Sequence, residues 1–107
     1  MGKIKVSEQD IVNALCLHLA NKRQITPQEV DIELMYDDDY GFSAEAYVNE
    51  RKQILITANI IEAIRFWLET ELKIDPFSAA LELVLDEDEG VIAYVEWNEG
   101  LNPRFYY

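Results

Sequence analysis

Three adjacent aspartates, Asp37, Asp38 and Asp39, stand between apolar stretches in the segment "YDDDYG", residues 36–41. Clustered carboxylates are the ligands that hard cations take, so these residues are weak candidates for a calcium or magnesium site. Their spacing argues for a simpler role. The calcium loop D-x-[DN]-x-[DN]-G with its distant glutamate is not matched. A hard cation needs about six oxygens, and neighbours on an extended chain point to opposite sides. A short acidic loop ending in Gly41, where a positive φ is often required, reads as the turn of a hairpin.

The other chemically capable side chains are few. His18 is the sole histidine. It lies at the edge of an apolar helical stripe, where packing is a more economical role than that of a base. Cys16, the sole cysteine, has no Lys or Arg within a helical turn to lower its pKa, so it reads as an inert thiol. Glu33, Glu45 and Glu82 stand where strand alternation puts them on an outer face. No G-x-S-x-G, H-E-x-x-H, C-x-x-C or phosphate-loop pattern occurs. No catalytic residue, metal or cofactor is therefore assigned.

The elements that must position these residues are legible through a repeat. Sliding the chain by 49 residues aligns 3–51 with 52–100 without gaps and gives 14 identities in 49 pairs. Chance would give roughly three at ordinary residue usage. Asp37, Asp39 and Gly41 fall on Asp86, Asp88 and Gly90; His18 falls on Trp67. Each half spells strand, helix, strand, strand. The helices are predicted from stripes at helical spacing: Ile11, Leu15 and Leu19 with Val12, then Ile60, Ile64 and Leu68 with Ile61. Ser7 is expected to cap the amide of Asp10, and Thr57 to cap the second helix. Val30, Ile32, Leu34 and Tyr36 alternate toward one side, as do Phe42, Ala44, Ala46 and Val48, and their counterparts repeat the pattern. "QILIT" (53–57), apolar on both faces, suits a central strand.

The predicted fold is α+β in the order αβββαββ, with a possible additional N-terminal strand. A single antiparallel sheet of five or six strands carries two helices on one face. The 107 residues are expected to form one domain, 1–107, ending in an aromatic tail at 101–107.

Charge limits the partners. Nine basic residues against 21 acidic ones give a net charge of −12. Such a field repels nucleic-acid backbones and anionic lipid surfaces. The element order αβββα is shared with double-stranded-RNA-binding domains, but the loops "DDDYG" and "DEDEG" carry acids where RNA recognition needs Lys and Arg. No leader or membrane-length apolar run is seen, and one cysteine suits a reducing cytoplasm.

What remains is surplus apolar surface. Leu17 and Phe66 lie off the main helical stripes. Met35, Tyr47, Leu55, Val84, Ile92 and Tyr94 are expected on the sheet face that the helices cannot cover. Exposed apolar patches mark interaction sites. The expectation is a non-enzymatic module that binds a protein partner or itself, most simply as a homodimer. The alternative is a metal-dependent or catalytic protein using loop 37–39 or His18.

The stretches "VSEQDI", "VDIELMYDDDYGFSAEAYVN" and "IIEAIRFWLETEL", with "DPF" two residues on, resemble a YxcD-like family of small uncharacterised proteins of Firmicutes. That resemblance implies a cytoplasmic bacterial protein and carries no site residue. Element order and acidity also resemble the type III secretion chaperones, which are dimeric and bind extended segments of partners. Those chaperones end in a further helix, where this sequence has Pro103 and an aromatic tail.

Overall fold

The computed structural model describes residues 2–97. The tail at 101–107 and the last three positions of the second repeat lie outside the described residues. The chain forms β1 (Gly2–Val6), α1 (Glu8–Arg23), β2 (Val30–Asp37), β3 (Gly41–Val48), β4 (Arg51–Ile56), α2 (Thr57–Glu71), β5 (Ala79–Asp86) and β6 (Gly90–Trp97). A 3-10 turn at Pro27–Glu29 leads into β2. The class is α+β as expected, and the possible N-terminal strand is present as β1.

The six strands are divided between two antiparallel sheets of three, ordered β1-β6-β5 and β2-β3-β4, rather than joined in one. Each half lends its first strand to the other: β1 pairs with β6, and β4 pairs with β3. The offset of 49 carries one sheet onto the other pair by pair. Val30↔Val48 and Asp37↔Gly41 become Ala79↔Trp97 and Asp86↔Gly90. Ala44↔Leu55 becomes Ala93↔Val6. The backbone repeats as well, with left-handed residues at Gln24 and Lys73 and φ of 78° at both Gly41 and Gly90. The exchange is reciprocal, as a pseudo-two-fold relation between halves requires.

Local chemistry accounts for the element boundaries. Ser7 Oγ accepts a hydrogen bond from Asp10 N at 3.1 Å, capping α1 as its sequence predicts. Thr57 does not cap α2. Its hydroxyl donates to Phe42 O at 2.7 Å, and Asn59 Oδ1 instead accepts from Ile56 N. The Thr57 counterpart, Glu8, accepts from Val91 N at 2.9 Å, and Val91 is the counterpart of Phe42. The same helix start is thus tied to the same strand start in both halves, with donor and acceptor reversed. Asn49 and Glu50, both at positive φ, form the tight turn that folds β4 back on β3.

The core lies between the helices and the inner sheet faces. Ile11, Leu15 and Leu19 of α1 and Ile60, Ile64 and Leu68 of α2 are buried, together with Val6, Ala44, Ala93 and Val95. Each fully buried Leu or Ile contributes roughly 1.5–3 kcal/mol relative to exposure.

Two expectations about strands are corrected. Segment 53–57 does not supply a central strand. It contributes to β4, which lies at the edge of its sheet. Leu55 does not face outward: it pairs with buried Ala44 and is 3% exposed. Alternation then turns Ile54 and Ile56 outward, at 52% and 60% exposure. Ile92 shares the face of Tyr94 on the central strand β6, yet it is fully buried there.

Candidate functional site

The acidic loops are built as turns. Asp37 Oδ1 accepts from Asp39 N at 2.7 Å and Tyr40 N at 3.0 Å. Asp86 Oδ1 repeats this with Asp88 N at 2.8 Å and Glu89 N at 2.9 Å. Those amides hold the Asp86 carboxyl below its ordinary value. The first aspartate of each loop therefore spends one oxygen on its own backbone, while Asp38 and Asp39 are exposed. Among the described residues, no three His, Cys, Asp or Glu side chains converge as a metal site would require.

His18 joins the two helices. Its Nε2 lies 2.8 Å from Glu62 Oε1, and its ring packs on Phe66 with centroids 5.2 Å apart. Lys22 Nζ reaches the same carboxylate oxygen at 2.9 Å. Lys22 first, then His18, holds the Glu62 carboxyl below its usual range. Phe66 is half-buried beside His18, and Leu17 is half-buried too. Cys16 donates to Val30 O across 3.5 Å, and burial, with Asp31 nearby, pushes its thiol up. A raised pKa means less thiolate and a poor nucleophile. Glu45 is held by Lys52 at 3.2 Å and by the Tyr47 hydroxyl at 3.0 Å; Lys52 chiefly lowers its pKa.

The outer sheet faces can be assembled row by row from the register. On β2-β3-β4 the rows are Asp31–Tyr47–Lys52, Glu33–Glu45–Ile54 and Met35–Ser43–Ile56. Tyr47 is exposed and Met35 is half-buried. On the other sheet the rows run Ala80–Glu96–Lys3 and Glu82–Tyr94–Lys5, followed by the pair Val84–Ile92. Tyr94 is exposed, with Lys3 Nζ 5.9 Å from its ring centre, and Val84 is half-buried. The expected patch is thus split between two sheets. Met35 and Tyr47 share one face, and Val84, Ile92 and Tyr94 the other, with Ile92 fully buried; Leu55 points into the core. Ile54 and Ile56 were not anticipated. The residues around them did contain the signal: Leu55 aligns with Val6, whose neighbours Lys5 and Ser7 are polar and so point away from the core.

Two antiparallel three-stranded sheets under a helix pair define an α+β protein of duplicated βαββ units. The chain belongs to a family described as "Protein of unknown function (DUF2653)", whose model matches residues 1–88. It is 33% identical over 98 residues to the "Uncharacterized protein YxcD" of Bacillus subtilis (strain 168), covering 91% of this chain and 96% of that one. No solved structure matches it.

Proposed function

We propose that the chain is a non-enzymatic module that associates with a second copy of itself through the free edge and outer face of the β2-β3-β4 sheet. The supporting observation is β4. It is an edge strand, and it presents Ile54 and Ile56 to solvent next to Glu45 and Ser43 of β3, on the face that also holds Met35 and Tyr47. The opposite edge, β2, lies against β6 of the other sheet. Strand β1, the counterpart of β4, alternates Lys3 and Lys5 outward, and such lysines discourage edge pairing. The second half of β4 has no such charge.

A two-fold axis perpendicular to the sheet would set Ile54 opposite Ile54 and Lys52 opposite Ile56 of the second copy. No like charges meet directly in that register, and the two sheets become one of six strands. Two chains at −12 repel, so added salt tightens the pair. A reducing cytoplasm fits a chain whose one cysteine has no partner in sequence. No helix among the described residues is long and apolar enough to cross a membrane.

Sedimentation velocity at tens of micromolar tests this reading. The parent sediments as a dimer, more completely at higher salt. Ile54→Glu gives a folded monomer, while Tyr94→Glu, on the other sheet, leaves the dimer intact. A parent that stays monomeric across salt and concentration overturns the proposal.

A further inference from the structure

A groove of about 130 Å3 opens between α1, α2 and β4. It lies on the inner side of β4, away from the proposed pairing surface. Its floor is apolar, made by Leu15, Leu19 and Leu55, all buried. Its rim is polar: His18, Lys22 and Arg23 from α1, Asn59 and Glu62 from α2, and Gln53 from β4. Lys22 and His18 share Glu62, and Arg23 Nη2 donates to the Gln53 carboxamide. Asn59 commits its carbonyl to Ile56 N. His18 Nδ1 is buried without a hydrogen-bond partner. Lys22 and Arg23 against Glu62 leave one net positive charge, in a chain whose total is −12.

The repeat shows that the basic side chains of this rim belong to one half alone. At the 49-residue offset, Leu15, Leu19 and Leu55 become Ile64, Leu68 and Val6, so the floor is kept. His18 becomes Trp67, Gln53 becomes Ile4 and Arg23 becomes Leu72. Trp67 and Ile4 pack against the core. The remaining rim positions stay polar but lose their cation: Lys22 becomes Glu71, Asn59 becomes Asp10 and Glu62 becomes Asn13. The fold is satisfied at the counterpart position without a cation, so Lys22 and Arg23 answer to something other than folding.

We infer that this groove is a binding site for a small organic monocarboxylate. The carboxylate is held by the Arg23 guanidinium and the Lys22 ammonium, which pair with such anions through charge-assisted hydrogen bonds. The short aliphatic part lies on the three leucines. The volume is below the ~300–1,000 Å3 of pockets for drug-sized ligands, which limits the guest to a few carbons. The Glu62 carboxylate is balanced by Lys22, which leaves the Arg23 charge in excess to draw the anion. Gln53, a neutral partner, yields Arg23 without stranding a charge.

Sodium butyrate is the probe. The single histidine gives one assignable imidazole resonance, and it sits in the groove wall. Titrating the full chain with butyrate at neutral pH and fixed ionic strength shifts that resonance saturably in the millimolar range. Sodium chloride and butylammonium chloride do not. Arg23→Leu, which installs the residue of the other half, keeps the reporter and weakens saturation at least tenfold. His18→Trp fills the groove, keeps or raises the melting temperature, and abolishes the heat of butyrate binding in calorimetry. A chloride titration that reproduces the butyrate shift overturns the assignment. So does Arg23→Leu or His18→Trp binding butyrate as the parent does.

Discussion

Asp37 and Asp38 are adjacent and chemically identical, yet their roles differ. Both are exposed, but Asp37 closes the turn by accepting two amide hydrogen bonds. Asp37→Ala is expected to cost about 1 kcal/mol, the net worth of such bonds, and Asp38→Asn less than about 0.5 kcal/mol. Chemical denaturation of the two variants checks the difference, with or without millimolar calcium. Glu62 supplies a pH signature. Its folded pKa is depressed by Lys22 and His18, so its stabilisation is present above the unfolded carboxylate value and is lost as pH falls through the lower folded value. The gap in melting temperature between parent and Glu62→Gln is therefore open at neutral pH and closes in acid, below about pH 4. The turn role of Asp37 was legible in the sequence because loop length, Gly41 and the copied loop all point to it. The His18–Glu62–Lys22 cluster was not, because it joins two helices whose relative rotation no local pattern records.

At the scale of elements, β4 separates what a pattern can decide from what it cannot. The helical stripes were readable because apolar residues recur at one period, and the alternating strands were readable for the same reason. In "QILIT" both faces are apolar, so alternation has no preferred phase and burial on both sides looks equally good. Pairing decides it: β3 places Ala44 opposite Leu55, and the core claims that face. Leu55→Ala is expected to cost about 2–5 kcal/mol as a buried truncation. Ile54→Ala, exposed, is expected to stay within about 0.5 kcal/mol. Urea unfolding of the two variants measures the contrast, and equal losses would place β4 in the wrong phase. Strand exchange between halves was hidden for a related reason. A 49-residue repeat records that two units are alike, but it does not state whether β1 pairs within its own unit or with β6 of the other.

At the scale of the whole molecule, duplication has left two sheets with the same register and different surfaces. One free edge, β1, carries alternating lysines that pair with Glu96 at 3.4 Å and Glu89 at 2.8 Å. Its counterpart β4 ends in exposed isoleucines beside an unpaired backbone edge. Among the described residues, alternate β4 amides point away from β3 and no strand receives them. Pairing with a second copy changes that directly. Amide hydrogen exchange of residues 51–56, followed at low and high protein concentration and at moderate salt, is thus the most direct measurement. The outward amides of β4 are expected to gain protection as concentration rises, with those of β1 unchanged and the gain absent in Ile54→Glu. Exchange along β4 that is equally fast at every concentration would contradict self-association through this edge.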